Sequence, residues 1–269
     1  MYITPEPEIA KAAQAAGVDW IFVDLETLGK QDRQGHLDTV ISRHTIDDVK
    51  AVRSVLSNSQ LLVRTNPLHD GSVSEIDSVI AAGADIVMLP FFTTADEVNK
   101  FLSIVDGRAQ TCLLLETPEA VDNLADVVEL SGIDYVHIGL NDLHLGYDLD
   151  FMFEPLINGT VDHIASMLRQ SGVEFGFGGI ARLGEGTLAS ERILAEHRRL
   201  GSNMVILSRS FLNTNDSAGL QDLENLFQRE VQRIRNYEAF LQDQTDGFFV
   251  ENRVATAHTA NRIVQEIRG

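Results

Sequence analysis

Two carboxylates close neighbouring apolar runs in this chain. Glu116 ends Thr111-Cys112-Leu113-Leu114-Leu115-Glu116, and Asp142 ends Asp134-Tyr135-Val136-His137-Ile138-Gly139-Leu140-Asn141-Asp142. Each run reads as a buried strand that stops at an acidic residue, with a helix-like stretch between them. If the strands are parallel neighbours, both carboxylates emerge on the same rim of the sheet. Two hard oxygen donors there, with space for water and a ligand, suit Mg²⁺ or Mn²⁺. Each residue also has a structural alternative. Glu116 precedes Thr117-Pro118, a good helix start whose positive end favours an acid, and Asp142 could cap a turn. At adjacent strand ends, the pair favours chemistry over either alternative taken alone.

The elements that must position them alternate along the whole chain. Strands are expected at Tyr2–Thr4, Trp20–Asp24, Leu61–Thr65, Ile86–Leu89, Cys112–Glu116, Tyr135–Ile138, Glu174–Phe177 and Met204–Ser208. Helical periodicity separates them, and glycines at Ala16-Gly17, Ala82-Gly83 and Ser131-Gly132 mark helix ends, where a left-handed residue is needed. Strand–helix alternation at this spacing predicts an α/β protein, a (β/α)8 TIM barrel, with a doubly wound sheet as the alternative. The barrel core is expected over residues 1–211. Residues 212–269 form an extended helical tail, where Leu220, Leu223, Phe227, Val231, Ile234, Tyr237 and Leu241 make one apolar face. A further helix, Val254–Ile267, should follow a break at Asp246-Gly247. The tail either covers the base of its own barrel or packs on, or swaps with, a neighbouring subunit; the second is preferred.

In a barrel the active site lies where strands end. The strand ends supply Asp24 and Glu26, Arg64 and Asn66, Pro90, Glu116, Asp142, Gly178 and Gly179, and Ser208 and Arg209. Composition limits what such a site serves. A formal charge of −19 disfavours a nucleic-acid or anionic-membrane surface. No apolar stretch is long enough to cross a bilayer, and the N-terminal residues lack the pattern of a secretion signal. The single cysteine, Cys112, excludes an intramolecular disulfide. A cytoplasmic protein is expected, acting on a small molecule.

Several of these motifs, in this order, resemble the HpcH/HpaI aldolase and citrate lyase family, of the phosphoenolpyruvate/pyruvate barrel type. They are Ala16–Glu26 (Ala-Gly-Val-Asp-Trp-Ile-Phe-Val-Asp-Leu-Glu), Val63–Pro67, Ala81–Pro90, the Glu116 segment and Gly132–Leu143. The resemblance implies that Glu116 and Asp142 ligate a divalent metal, Mg²⁺ or Mn²⁺ with Co²⁺ possible. It implies that Arg64 contacts the keto or enolate oxygen of pyruvate, and that Asp24 and Glu26 form an acidic motif near the metal and water. The backbone of Gly139, Leu140 and Asn141 would approach the substrate carboxylate. Homo-oligomers from dimer to hexamer, often with an exchanged C-terminal helix, are also implied.

The chemistry is coherent with those residue types. Making or breaking a C–C bond next to pyruvate passes through an enolate, which a Lewis acid and a fixed guanidinium both stabilise. No lysine stands at these strand ends to form a Schiff base. One departure matters: the aldolase branch commonly has histidine directly after the acidic motif, and here Thr27 follows Glu26. His36 or His44 could supply proton transfer instead, with His69 and His144 as further candidates, and Arg209 could grip a distal substrate anion. The expected activity is reversible cleavage of a 2-keto-4-hydroxy acid to pyruvate and an aldehyde. The alternatives are a citryl- or malyl-CoA-type thioester lyase, or a non-catalytic barrel subunit.

Overall fold

A computed structural model describes residues 1–29, 44–208, 211–212 and 220–269. Eight strands close a parallel barrel in sequence order: β1 (Tyr2–Ile3), β2 (Trp20–Asp24), β3 (Gln60–Arg64), β4 (Ile86–Leu89), β5 (Gln110–Leu115), β6 (Tyr135–Ile138), β7 (Glu174–Ile180) and β8 (Met204–Leu207). β8 pairs with β1 to shut the ring. The expected (β/α)8 barrel is therefore the fold. Most of the central strands are buried on both faces, as β4 and β5 are, which explains why they read as unbroken apolar runs rather than alternating ones. Phe22, Leu62, Ile86, Met88, Cys112 and Leu114 fill the interior as a packed core. Their outward neighbours, such as Ile21, Val63, Val87 and Leu113, meet the helices.

The helix boundaries follow from capping. Helix α1 is Pro7–Ala15, with proline in its first turn, and α2 is Ile46–Val55, opened by a Thr45–Asp48 capping box. Next come α3 (Ser72–Ala81) and α4 (Ala95–Val105), the latter with a Thr94–Glu97 box. In each box a threonine oxygen and a carboxylate satisfy backbone N–H groups that the first turn leaves unpaired. Gly83, at φ +98°, ends α3 in the left-handed conformation that frees a helix terminus.

After β5 the helix-like stretch between the two acidic runs is broken into α5 (Pro118–Asp122) and α6 (Leu124–Val127). Asn123 lies between them, its side-chain amide donating to the Thr93 and Glu119 carbonyls. Then follow α7 (Leu140–Gly146), α8 (Glu154–Ile157), α9 (Thr160–Ser171) and α10 (Ser190–Leu200).

The tail is two helices, α11 (Leu220–Gln242) and α12 (Asp246–Arg268). The break falls at 243–245, ahead of Asp246-Gly247, because Thr245 caps α12 by accepting from the Phe248 N–H. Within the single chain, α11 packs on α1 and α10, the place of an eighth barrel helix. Its Phe227 meets Tyr2 edge-on with ring centroids 5.0 Å apart. No helix among the described residues is long and apolar enough to cross a membrane.

Helix α12 is held by charge as well as by packing. Glu196 on α10, with its side chain 1% exposed, accepts from Arg199 at 2.7 Å and lies 3.6 Å from Arg253 of α12. Asn252 of α12 also donates to Glu196, at 2.9 Å, and Asp162 of α9 completes the cluster at 2.7 Å from Arg199 and 3.0 Å from Arg253. Removing the buried carboxylate leaves two guanidinium groups short of a partner. Glu196→Ala is expected to cost about 3 kcal/mol, read as a lower urea midpoint. A midpoint within experimental error of wild type would show that the cluster contributes nothing to docking the tail.

Candidate active site

Strand β2 ends at Asp24 and β3 at Arg64, and the two residues are register partners. Their side chains meet in a two-pronged pair, Nε to Oδ1 and Nη2 to Oδ2, both at 2.8 Å. Two residues beyond Asp24, the chain turns so that Glu26 brings Oε2 to 3.4 Å from Arg64 Nε. Both carboxylates are 2% exposed. Burial on its own would lower the Arg64 pKa, but Asp24, Glu26 and Glu116 outweigh it and hold the guanidinium above its ordinary value. Arg64 is therefore a fixed cation at any working pH, and its fork geometry sets its orientation.

Glu116 directly follows β5 and is 3% exposed. Its Oε1 accepts the N–H of Phe91, a non-glycine residue held at φ +51° in the turn after β4. The other side of Glu116 abuts Gly139, where an added Cβ would lie 2.8 Å from both Cβ and Oε2 of the glutamate. Only glycine lets the β6 backbone approach that closely.

Asp142 does not end a strand. β6 stops at Ile138, Gly139 makes the turn, and Asp142 lies in the first turn of α7. The apolar residues beyond Gly139 have helical spacing: Leu140, Leu143 and His144 are buried while Asn141 and Asp142 are half-exposed. An acidic residue in a first turn is favoured by the helix dipole. Leu140 and Asn141 thus begin this helix rather than end the strand.

The candidate histidines divide. His44 accepts the Asp24 backbone N–H at its Nδ1, 3.0 Å away, which leaves the proton of the neutral ring on Nε2. It therefore lies against the acidic motif. His69 is engaged with Glu75 and Gly71, and His144 Nδ1 sits 3.3 Å from the Leu140 carbonyl of its own helix. His36 and Arg209 lie outside the described residues. His137, pointing into the barrel, is buried, and burial pushes its pKa down to about 3. It stays neutral at working pH, with Nε2 at 3.2 Å from the Gly178 carbonyl.

Two contributors were not evident from the sequence. Phe91 acts through its backbone, and Glu75 sits on α3, remote in sequence from every strand end. Neither carries a residue-type signal in sequence, since one works through main-chain conformation and the other through a fold-dependent contact.

An eight-stranded parallel barrel with a buried arginine among carboxylates at its C-terminal rim is a barrel-enzyme arrangement. The family profile described as HpcH/HpaI aldolase/citrate lyase matches residues 3–155, and the chain belongs to that family. It is a carbon–carbon lyase by that membership and by its relatives. One relative is a 2-keto-3-deoxy-L-rhamnonate aldolase of Escherichia coli O17:K52:H18, 27% identical over 205 residues, covering 64% of this chain and 71% of the relative. Another is a 4-hydroxy-2-oxovalerate aldolase of Novosphingobium aromaticivorans, 27% identical, covering 51% and 58% of the two chains. A solved HpcH/HpaI aldolase/citrate lyase family protein from Burkholderia cenocepacia J2315 shares the fold, with TM-score 0.62, 15% identity, and coverage of 88% and 93%.

Proposed function

We propose that the protein cleaves a 2-keto-4-hydroxy acid reversibly to pyruvate and an aldehyde, with a divalent metal at Glu116 and Asp142. The observation that carries this reading is the buried Arg64, locked by Asp24 and Glu26 beside Glu116. Asp24, Glu26 and Glu116 lie close enough to Arg64 to hold it charged, and they bring carboxylate oxygens to this rim of the barrel. Acidic oxygens suit Mg²⁺ or Mn²⁺, with Co²⁺ also compatible. A site with two protein carboxylates would leave positions for substrate and water. When bound, such an ion supplies Lewis-acid stabilisation of the keto oxygen.

The chain's own groups do the rest. Arg64 keeps a fixed N–H array near the site where oxyanion charge develops, and being pre-oriented it reorganises little during reaction. Asp24 and Glu26 hold that array, and Gly139 admits a close approach of the backbone that leads to Leu140 and Asn141. The deciding experiment offers 2-keto-4-hydroxy acids, oxaloacetate and acyl-CoAs with Mg²⁺ or Mn²⁺, and follows pyruvate and CoA. Pyruvate release that EDTA abolishes and Mn²⁺ restores is expected. Release of CoA alone would replace this reading by a thioester lyase. The absence of both turnover and metal binding would leave a non-catalytic barrel. The family resemblance also supports a homo-oligomer, for which light scattering should give a mass of two to six subunits.

A further inference from the structure

We infer that Asn66 and Glu75 are positioning residues that clamp the acidic turn after β2 onto the end of β3; this rests on the lyase reading above. Asn66 stands two residues after Arg64. Its Oδ1 accepts from two successive backbone N–H groups, Thr27 at 2.8 Å and Leu28 at 2.9 Å. The Thr27 hydroxyl reaches the same oxygen at 3.4 Å. The chain therefore uses position 27, directly after Glu26, as an anchor point.

The amide orientation of Asn66 is dictated by Glu75. Asn66 Nδ2 donates to Glu75 Oε1 at 2.7 Å, and the Asn66 backbone N–H donates to the same oxygen at 3.1 Å. The second Glu75 oxygen lies 3.1 Å from His69 Nε2. The Gly71 N–H donates to His69 Nδ1 at 3.0 Å, so the ring proton sits on Nε2 and points at Glu75. Every donor in the series meets an acceptor: His69 to Glu75, Asn66 to Glu75, and the turn to Asn66. None of the three side chains belongs to the Arg64–Asp24–Glu26 cluster. They tie together the two strand ends that carry it, so that Glu26 keeps its 3.4 Å approach to Arg64. A misplacement on the order of 1 Å at such a site lowers turnover by up to about 100-fold.

The test uses the full chain and three variants. Asn66→Asp keeps the acceptor for Thr27 and Leu28 but sets a second carboxylate against Glu75. It is expected to lower kcat about 10- to 100-fold, with a much smaller change in KM. Adding Glu75→Gln returns an amide N–H to the pair, although the Asn66 backbone N–H then loses its acceptor. The double variant should therefore recover at least about fivefold in kcat over Asn66→Asp alone, a non-additivity confined to coupled residues. Asn66→Ala should speed hydrogen exchange at the Thr27 and Leu28 amides while distant barrel amides keep their protection.

A kcat for Asn66→Asp within twofold of wild type, or a double variant no better than the single, would overturn the inference. If the wild-type protein turns over no keto acid, it is the lyase reading that fails. The clamp is then decided by exchange: unchanged rates at Thr27 and Leu28 in Asn66→Ala overturn it.

Discussion

Arg64→Lys is expected to lower kcat/KM by about 10³-fold, the upper end of what loss of one oxyanion donor costs. Lysine keeps the positive charge, so a site that needed only charge would tolerate it. The arrangement needs more. Arg64 uses Nε and Nη2 on the two oxygens of Asp24 and also approaches Glu26, leaving its remaining N–H groups for a ligand. An ammonium has one point of attachment and no planar fork. It can neutralise Asp24 or reach substrate, but it cannot hold a fixed orientation while doing both. The loss should fall mainly on kcat, because the array matters most where charge develops in the transition state. Mn²⁺ affinity should change far less, since the proposed ligands Glu116 and Asp142 are untouched. Steady-state kinetics beside a Mn²⁺ titration checks this, and a kcat/KM within tenfold of wild type would remove Arg64 from that role.

Glu116→Gln should have an effect of similar size by a different route, with activity falling about 10³-fold through loss of the Lewis acid. The substitution is close to isosteric, and the glutamine oxygen can still accept the Phe91 N–H. What disappears is one of the negative charges that act on Arg64. Stability should report the change through its response to metal. With saturating Mn²⁺, wild type should gain about 2.7 kcal/mol at a concentration of 100 Kd, and the variant should gain almost none. Differential scanning calorimetry with and without Mn²⁺ measures both. A variant that keeps the full metal-induced gain would exclude Glu116 as a ligand.

The barrel was legible in the sequence because burial on both strand faces writes each strand as a continuous apolar run. Trp20–Asp24, Ile86–Leu89 and Tyr135–Ile138 are found where the composition puts them. Asp142 was misread as a strand end because Gly139 hides a change of period. Apolar residues run on past it, but at helical spacing, and a short run does not distinguish the two. At β7 the strand continues through Gly178 and Gly179 to Ile180, with a register irregularity between Gly176 and Gly179; glycine-rich sequence carries little strand signal.

In the candidate site, Arg64, Asp24 and Glu26 were expected to lie together, and their side chains do. Their mutual locking was not foreseen, since sequence gives the residue types at a rim but not which of them pair. Glu75 and Phe91 were illegible for the same reason, one depending on where the helix after β3 packs and the other on the conformation of a single turn.

The pairing of β8 with β1, and the seating of α11 on α1, have a consequence for synthesis. The residues of the candidate site lie between Asp24 and Asp142, and all emerge from a ribosome well before α11. Yet the sheet they stand on has two open edges until β8 arrives, and the ring lacks one helix until residue 242. Such closure pairs Tyr2 with Leu207, and contacts so distant in sequence form late and slowly. A nascent chain thus holds its full set of acidic groups on an unsealed sheet. The geometry that gives those groups a use comes only when the last part of the chain has folded back on the first.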